Sequence, residues 1–244
     1  MNLHLFRHLL TRTLRGKRLL GASALAAVAG VAAWVSMAGV PTDAAISIYK
    51  EVVATLSAAT LSIALLILAT ATLRDERDSA TLPYVFLTPV SATVFTVSAT
   101  LAALVASVTV AVIGWIPGWI GAGVMTGSWT LAVPALVFYL AAAVGYTAVF
   151  VPLGYLFDRS LIIGLAYIFV WEGILASVVP GLGPSSIWRI ALSVYADLTE
   201  LPGNALDLLG SVEPGKWGAA AMLTVLTGLG IGVLTWAVRS RDAI

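Results

Sequence analysis

Hydrophobic positions in this chain gather into six long blocks, 19–40, 51–73, 92–113, 131–156, 161–179 and 217–238, separated by 41–50, 74–91, 114–130, 157–160 and 180–216. Coiled as a helix with about 1.5 Å of rise per residue, each block reaches across the roughly 30 Å hydrocarbon core of a bilayer. The segments around these blocks carry their own patterns. In 1–18, Leu3, Phe6, Leu10 and Leu14 recur at helical spacing among Arg7, Arg12, Arg15 and Lys17, which predicts a basic amphipathic helix lying on the membrane surface. In 180–216, Ile187, Ile190, Ala191, Val194 and Leu198 share one helical face after the N-cap candidates Ser185 and Ser186, and a second apolar run, 205–209, follows Asn204. Two short helices packed on or dipping into the leaflet are expected there, because irregular backbone at that depth leaves polar groups unsatisfied. In 74–91, five consecutive ionisable residues (Arg74, Asp75, Glu76, Arg77, Asp78) cannot enter hydrocarbon. A short helix follows them, with Ser79 and Thr81 as caps, Pro83 in the first turn, and Leu82, Val85 and Phe86 on one face; Thr88-Pro89 ends it.

Composition agrees with the pattern. The chain has 244 residues, 60% hydrophobic and only 10% charged, with a mean hydropathy of +1.00. Soluble proteins are about 45–50% apolar, so the fold class is an all-α integral membrane protein, a single domain over 1–244. Six spans place both ends on one side. Arg7, Arg12, Arg15, Lys17, Arg18, Arg74, Arg77, Arg159, Arg239 and Arg241 fall on that side, and only Lys50, Arg189 and Lys216 on the other. The positive-inside rule then puts both termini and 74–91 in the cytoplasm, with Trp115, Trp119, Trp129, Trp188 and Trp217 forming an aromatic belt at the outer interface. The N-terminus is not expected to be a cleaved signal, because its basic residues are spread through 18 positions and no small-residue cleavage site closes a short apolar core. The absence of cysteine excludes disulfides, thiolate metal sites and a cysteine nucleophile.

The 74–91 segment resembles the cytoplasmic coupling loop of the type-2 ABC permease family, the membrane subunits of ATP-driven exporters. The family pattern Glu-Arg-Glu-x-Gly-Thr-Leu-Glu, two apolar residues, then Thr-Pro-Val-Ser reads here as Glu76, Arg77, Asp78, Ser79, Ala80, Thr81, Leu82, Pro83, then Val85 and Phe86, then Thr88, Pro89, Val90 and Ser91. Ala80 stands where Gly is usual and Pro83 where Glu is usual. The order of apolar runs also matches along the whole chain, 1–18 taking the place of the family's elbow helix and 180–216 that of its extracellular re-entrant helices. The resemblance implies ATPase-coupling roles for Glu76, Arg77, Asp78, Thr81, Leu82, Val85, Phe86, Thr88 and Pro89. It also implies cytoplasmic ABC ATPase subunits as partners, a second permease copy or paralogue, and a prokaryotic cell membrane as the location. ATP and Mg would be bound by the partner ATPase and no cofactor by this chain. The implied activity is export of a hydrophobic or amphipathic substrate, with membrane lipids and no nucleic acid as further contacts.

Candidate chemistry inside the blocks is sparse. Glu172 is the one ionisable residue placed well within a span, where a charge costs about 2.5–3.5 kcal/mol, so it should face the bundle, paired or protonated. Two roles stay open for it, attraction of a cationic group on the transport path or hydrogen-bonded packing. Glu51, Thr55 and Ser62 lie within about 40° of one another at 100° per residue and form a polar stripe, a candidate path lining or a set of space-fillers. His4 and His8, four apart, lack a third metal ligand nearby. The stretch 210–216, GSVEPGK, has phosphate-loop spacing, but Trp217 replaces the Ser or Thr and no strand precedes it. Gly228 and Gly232 form a Gly-x3-Gly pair that predicts a close helix seam. With no His-Glu-x-x-His or Gly-x-Ser-x-Gly, no catalytic role is expected of this chain. A stand-alone secondary transporter or channel, and a membrane-embedded enzyme or assembly factor, are the alternatives to the permease reading.

Overall fold

The computed structural model describes residues 3–14, 17–78, 91–179, 181–210 and 214–241. Among the described residues every regular element is helical. They are α1 (Leu3–Leu14), α2 (Lys17–Ser36), α3 (Thr42–Asp78), α4 (Ala92–Thr126), α5 (Val133–Leu156), α6 (Ser160–Val178), α7 (Ile187–Leu198), α8 (Gly203–Asp207) and α9 (Gly215–Arg241). A 3-10 turn, Trp129–Ala132, leads into α5. Helices α2, α3, α4, α5, α6 and α9 are long and apolar enough to cross a membrane.

The helices are longer than the hydrophobic blocks suggest. α3 starts at Thr42, nine residues before the expected boundary at Glu51, and runs for 37 residues, about 55 Å. Its early charges pair with the segment that follows α7. Lys50 Nζ donates to the Glu200 carbonyl at 2.7 Å, and Glu51 Oε1 accepts from Asn204 Nδ2 at 3.1 Å. α4 continues past Ile113 through Pro117 to Thr126, where Gly127 caps it at φ 71. Pro117 removes one helical hydrogen bond, yet the helix persists because its glycine face is clamped against α2. A Cβ on Gly30 would lie 2.7 Å from the Gly118 nitrogen, and one on Gly114 would strike Ala26. Trp115 Nε1 donates to the Ala132 carbonyl at 2.7 Å, and Trp119 stacks on Trp115 with ring centroids 5.4 Å apart. Both tryptophans are thus helical residues fixed to the turn before α5.

The core is a seam of small and aromatic residues. Ala99, Ala102, Ala103 and Ala106 of α4 pack with Tyr139, Tyr146 and Phe150 of α5 and Leu61, Leu65 and Leu66 of α3, all fully buried. Interhelical hydroxyl pairs, Thr147 to Ser107 at 2.9 Å and Thr96 with Thr235 at 2.8 Å, tie α5 and α9 to α4. The Gly228/Gly232 expectation is corrected here. A Cβ at either position would meet nothing within 4 Å, whereas one at Gly230, between them, would collide with the Ala148 backbone. The α5–α9 contact therefore lies on the face of Gly230. Trp188 likewise leaves the predicted belt: it is buried and edge-on to Phe138 at 4.8 Å, while Trp217 is 80% exposed.

α1 packs its apolar face on α4 and α3, with Leu9 buried and Arg7 and His8 exposed. The expected short helices between the last two spans are α7 and α8. α7 begins at Ser186, whose hydroxyl accepts from the Arg189 amide at 3.3 Å, and buries Ile187, Ile190, Ala191 and Val194 as its spacing predicts, leaving Leu198 half out. Thr81, Leu82, Val85, Phe86, Thr88 and Pro89, with the side chains of Glu76, Arg77 and Asp78, lie outside the described residues.

Candidate functional site: a buried carboxylate between α5, α6 and α7

Among the described residues, Glu172 is the one acidic or basic side chain that is buried, at 9% exposure. Local backbone puts it there. Residues Tyr167–Leu175 of α6 form a π-helical stretch, whose wider i→i+5 turns are a feature concentrated at functional sites. This winding brings Tyr167 and Glu172, five apart, to one side, with Tyr167 Oη 3.4 Å from Glu172 Oε1.

Donors from two other elements complete the arrangement. Tyr146 of α5 donates its hydroxyl to Glu172 Oε2 at 2.5 Å. From the start of α7, the Trp188 amide donates to Oε1 at 3.1 Å and the Ser186 hydroxyl to the same oxygen at 3.3 Å. Ser186 uses both halves of its hydroxyl, donating to Glu172 and accepting from Arg189. The carboxylate thus occupies the N-terminus of α7, where backbone donors and the helix dipole favour negative charge. Tyr167 has one proton for two acceptors, Glu172 and the Ser185 carbonyl at 3.3 Å. Trp171 Nε1 donates to Ser185 Oγ at 3.0 Å, fixing the turn ahead of α7.

The chain of donors continues to α3. Ser62 donates to the Tyr146 oxygen at 2.7 Å, so Ser62, Tyr146 and Glu172 form a directed series across three helices. Phe150 stacks on Tyr146 at 5.3 Å and meets Tyr167 edge-on at 6.1 Å, holding both phenols in place. Beside the carboxylate opens a cavity of about 230 Å³, lined by Ala58, Ala59, Ile168, Gly173, Trp188 and Arg189. Hydroxyl and amide donors compensate the burial of this carboxyl group, and Glu172 itself lines the mainly apolar cavity.

Of the sequence candidates, Ser62 and Glu172 come together through Tyr146. Glu51 and Thr55 do not join them. Glu51 lies eleven residues from Ser62 along α3, about 16 Å, and pairs with Asn204, while the Thr55 hydroxyl donates to the Glu51 carbonyl at 2.8 Å. The stripe on α3 is therefore divided between two environments. Tyr146, Tyr167 and the α7 N-terminus were not foreseen as members of the site. A comparison with protein-family models and with curated proteins finds no match to this chain.

Proposed function

We propose that this chain is the membrane permease subunit of an ATP-driven exporter, moving a hydrophobic or amphipathic substrate with energy from separate ATPase subunits. The observation that carries the reading is the length of α3. One unbroken helix leads from Ser62, in the Glu172 series, to Asp78 inside the charged segment. A push on 74–91 would be delivered to the centre of the bundle without a hinge, which is what conversion of ATPase closure into altered access requires. The sequence pattern from Glu76 to Ser91 supplies the partner, its charged residues for ion pairs and Leu82, Val85 and Phe86 for an apolar groove. In this reading 74–91 and both termini are cytoplasmic, α1 lies along the inner surface, and α7 and α8 cap the outer side.

The test is purification of the tagged chain from its native membrane, followed by measurement of ATP hydrolysis and identification of the co-purifying subunits. An ABC ATPase is expected, and Phe86→Asp should remove it while the chain still accumulates, because a buried charge in an apolar groove costs several kcal/mol. Hydrolysis-competent ATPase retained by the mutant at the wild-type level would sink the coupling role. A carrier energised by an ion gradient is the second reading, favoured by the buried Glu172. It predicts transport abolished by an uncoupler in vesicles that contain no ATP.

A further inference from the structure

At the end of the bundle where the chain begins, α1, α2 and α3 enclose a second cavity, of about 250 Å³. Its walls are unlike those beside Glu172. Arg12 and Thr13 come from the last turn of α1, Lys17 and Arg18 open α2, and Leu68, Ala71 and Thr72 of α3 form the floor. Cationic side chains from two helices thus converge over an apolar base. The two hydroxyls are committed to their own helices, Thr13 donating to the Leu9 carbonyl at 2.8 Å and Thr72 to the Leu68 carbonyl at 3.2 Å. The three cationic side chains that line the cavity favour negative charge there.

We propose that this cavity binds the phosphate of an anionic phospholipid. A lipid, rather than a soluble anion, follows from what continues out of it. On α2 the face of Lys17 carries Leu20, Ala24, Val28, Val31 and Val35, all within about 60° of Lys17 at 100° per residue. These residues are exposed, Leu20 to 73% and Val35 to 69%. This is an apolar track leading from the cations along a membrane-spanning helix, on which an acyl chain can lie while its phosphate sits between Arg12, Lys17 and Arg18. Basic side chains near a membrane surface strengthen attraction to anionic lipid by about fivefold each. The proposal does not depend on the ATP-driven reading, because lipid retention is measured without an ATPase.

Native mass spectrometry of the detergent-purified chain, titrated in parallel with phosphatidylglycerol and with phosphatidylcholine of the same acyl chains, tests it. Phosphatidylglycerol adducts should persist to higher collision energy and lower lipid concentration. The triple variant Arg12→Gln, Lys17→Gln, Arg18→Gln should lose the preference. Arg7→Gln should keep it, since Arg7 is exposed and about 140° around α1 from Arg12. If the triple variant fails to accumulate, Lys17→Gln alone, at an exposed side chain, should lower the preference about fivefold. Equal retention of the two lipids by the wild-type chain, or an unchanged preference in the Lys17 and triple variants, would overturn the proposal. So would displacement of phosphatidylglycerol by inorganic phosphate in large excess, which would reassign the cavity to a soluble anion.

Discussion

Glu172 accepts from Tyr146, Ser186 and the Trp188 amide, so deleting its carboxylate orphans donors on α5 and at the start of α7 together. Glu172→Leu should therefore lower stability on the order of 3 kcal/mol, read as an earlier thermal transition of the detergent-solubilised chain. Glu172→Gln keeps an oxygen for the Trp188 amide, and Tyr146 can accept from the new amide while turning its own proton to Ser62, which reverses to accept it, so the cost should stay near 1 kcal/mol. The pair separates charge from packing. Transport lost in the Gln variant at near-normal stability would assign the charge to the substrate path, while transport retained there would leave Glu172 a packing residue. Ser62→Ala and Tyr146→Phe should couple in a double-mutant cycle by about 1 kcal/mol, because Ser62 reaches Glu172 only through the Tyr146 oxygen. Additive losses would show that the series is not a unit. A lone acid in an apolar run announces itself, which is why Glu172 could be found from the sequence. Its phenols could not, because Tyr146 and Tyr167 read as ordinary aromatics within hydrophobic blocks and one partner is 26 residues away. Ser186 was legible as a cap, yet capping uses only its acceptor side, and the proton it gives Glu172 depends on tertiary placement.

Helices α2 and α4 meet where glycines let backbones touch, and this contact makes an element-scale prediction. Gly30→Val places its Cβ against the Gly118 backbone, which cannot turn aside as a side chain would, so the helices must separate at a cost of about 2 kcal/mol or more. Gly228→Val points into open space and should change stability by less than about 0.5 kcal/mol. Thermal unfolding of the two purified variants checks both. A large loss at Gly228 would mean that another chain covers that face of α9. The Gly-x3-Gly spacing at 228 and 232 was the conspicuous seam in the sequence, but spacing alone does not say which face of a helix meets a neighbour. The actual contact surfaces, Gly114 and Gly118 on α4 and Gly230 on α9, are set by the packing of the whole bundle. Helix ends were hidden for a related reason. Charge at Lys50 and Glu51, and Pro117 between two tryptophans, mark the limit of a hydrophobic block; helices continue past such limits when neighbouring segments supply partners, as Glu200 and, in α8, Asn204 do for α3.

For the molecule as a whole, six crossings follow from length and hydropathy alone, and the six membrane-length helices of the structure agree with the six blocks read from the chain. The direction of insertion rests on a different quantity, the excess of Lys and Arg at the end that carries both termini, a bias that the translocation machinery reads and packing does not. It can be tested cleanly because the chain has no cysteine, so any introduced thiol is the sole label site. Ser240→Cys lies at an exposed position at the end of α9, and Gly203→Cys at an exposed position at the start of α8, on the opposite end of the bundle. Both replace small side chains outside the helix seams and should leave the fold intact. In intact cells a membrane-impermeant maleimide should label Gly203→Cys, and Ser240→Cys only after permeabilisation. The reverse pattern would invert the chain, place 74–91 outside, and remove the ATPase-coupling role with it. Labelling of both from outside would mean an even number of crossings between α8 and the C-terminus, which would require α9, with its 27 residues, not to span.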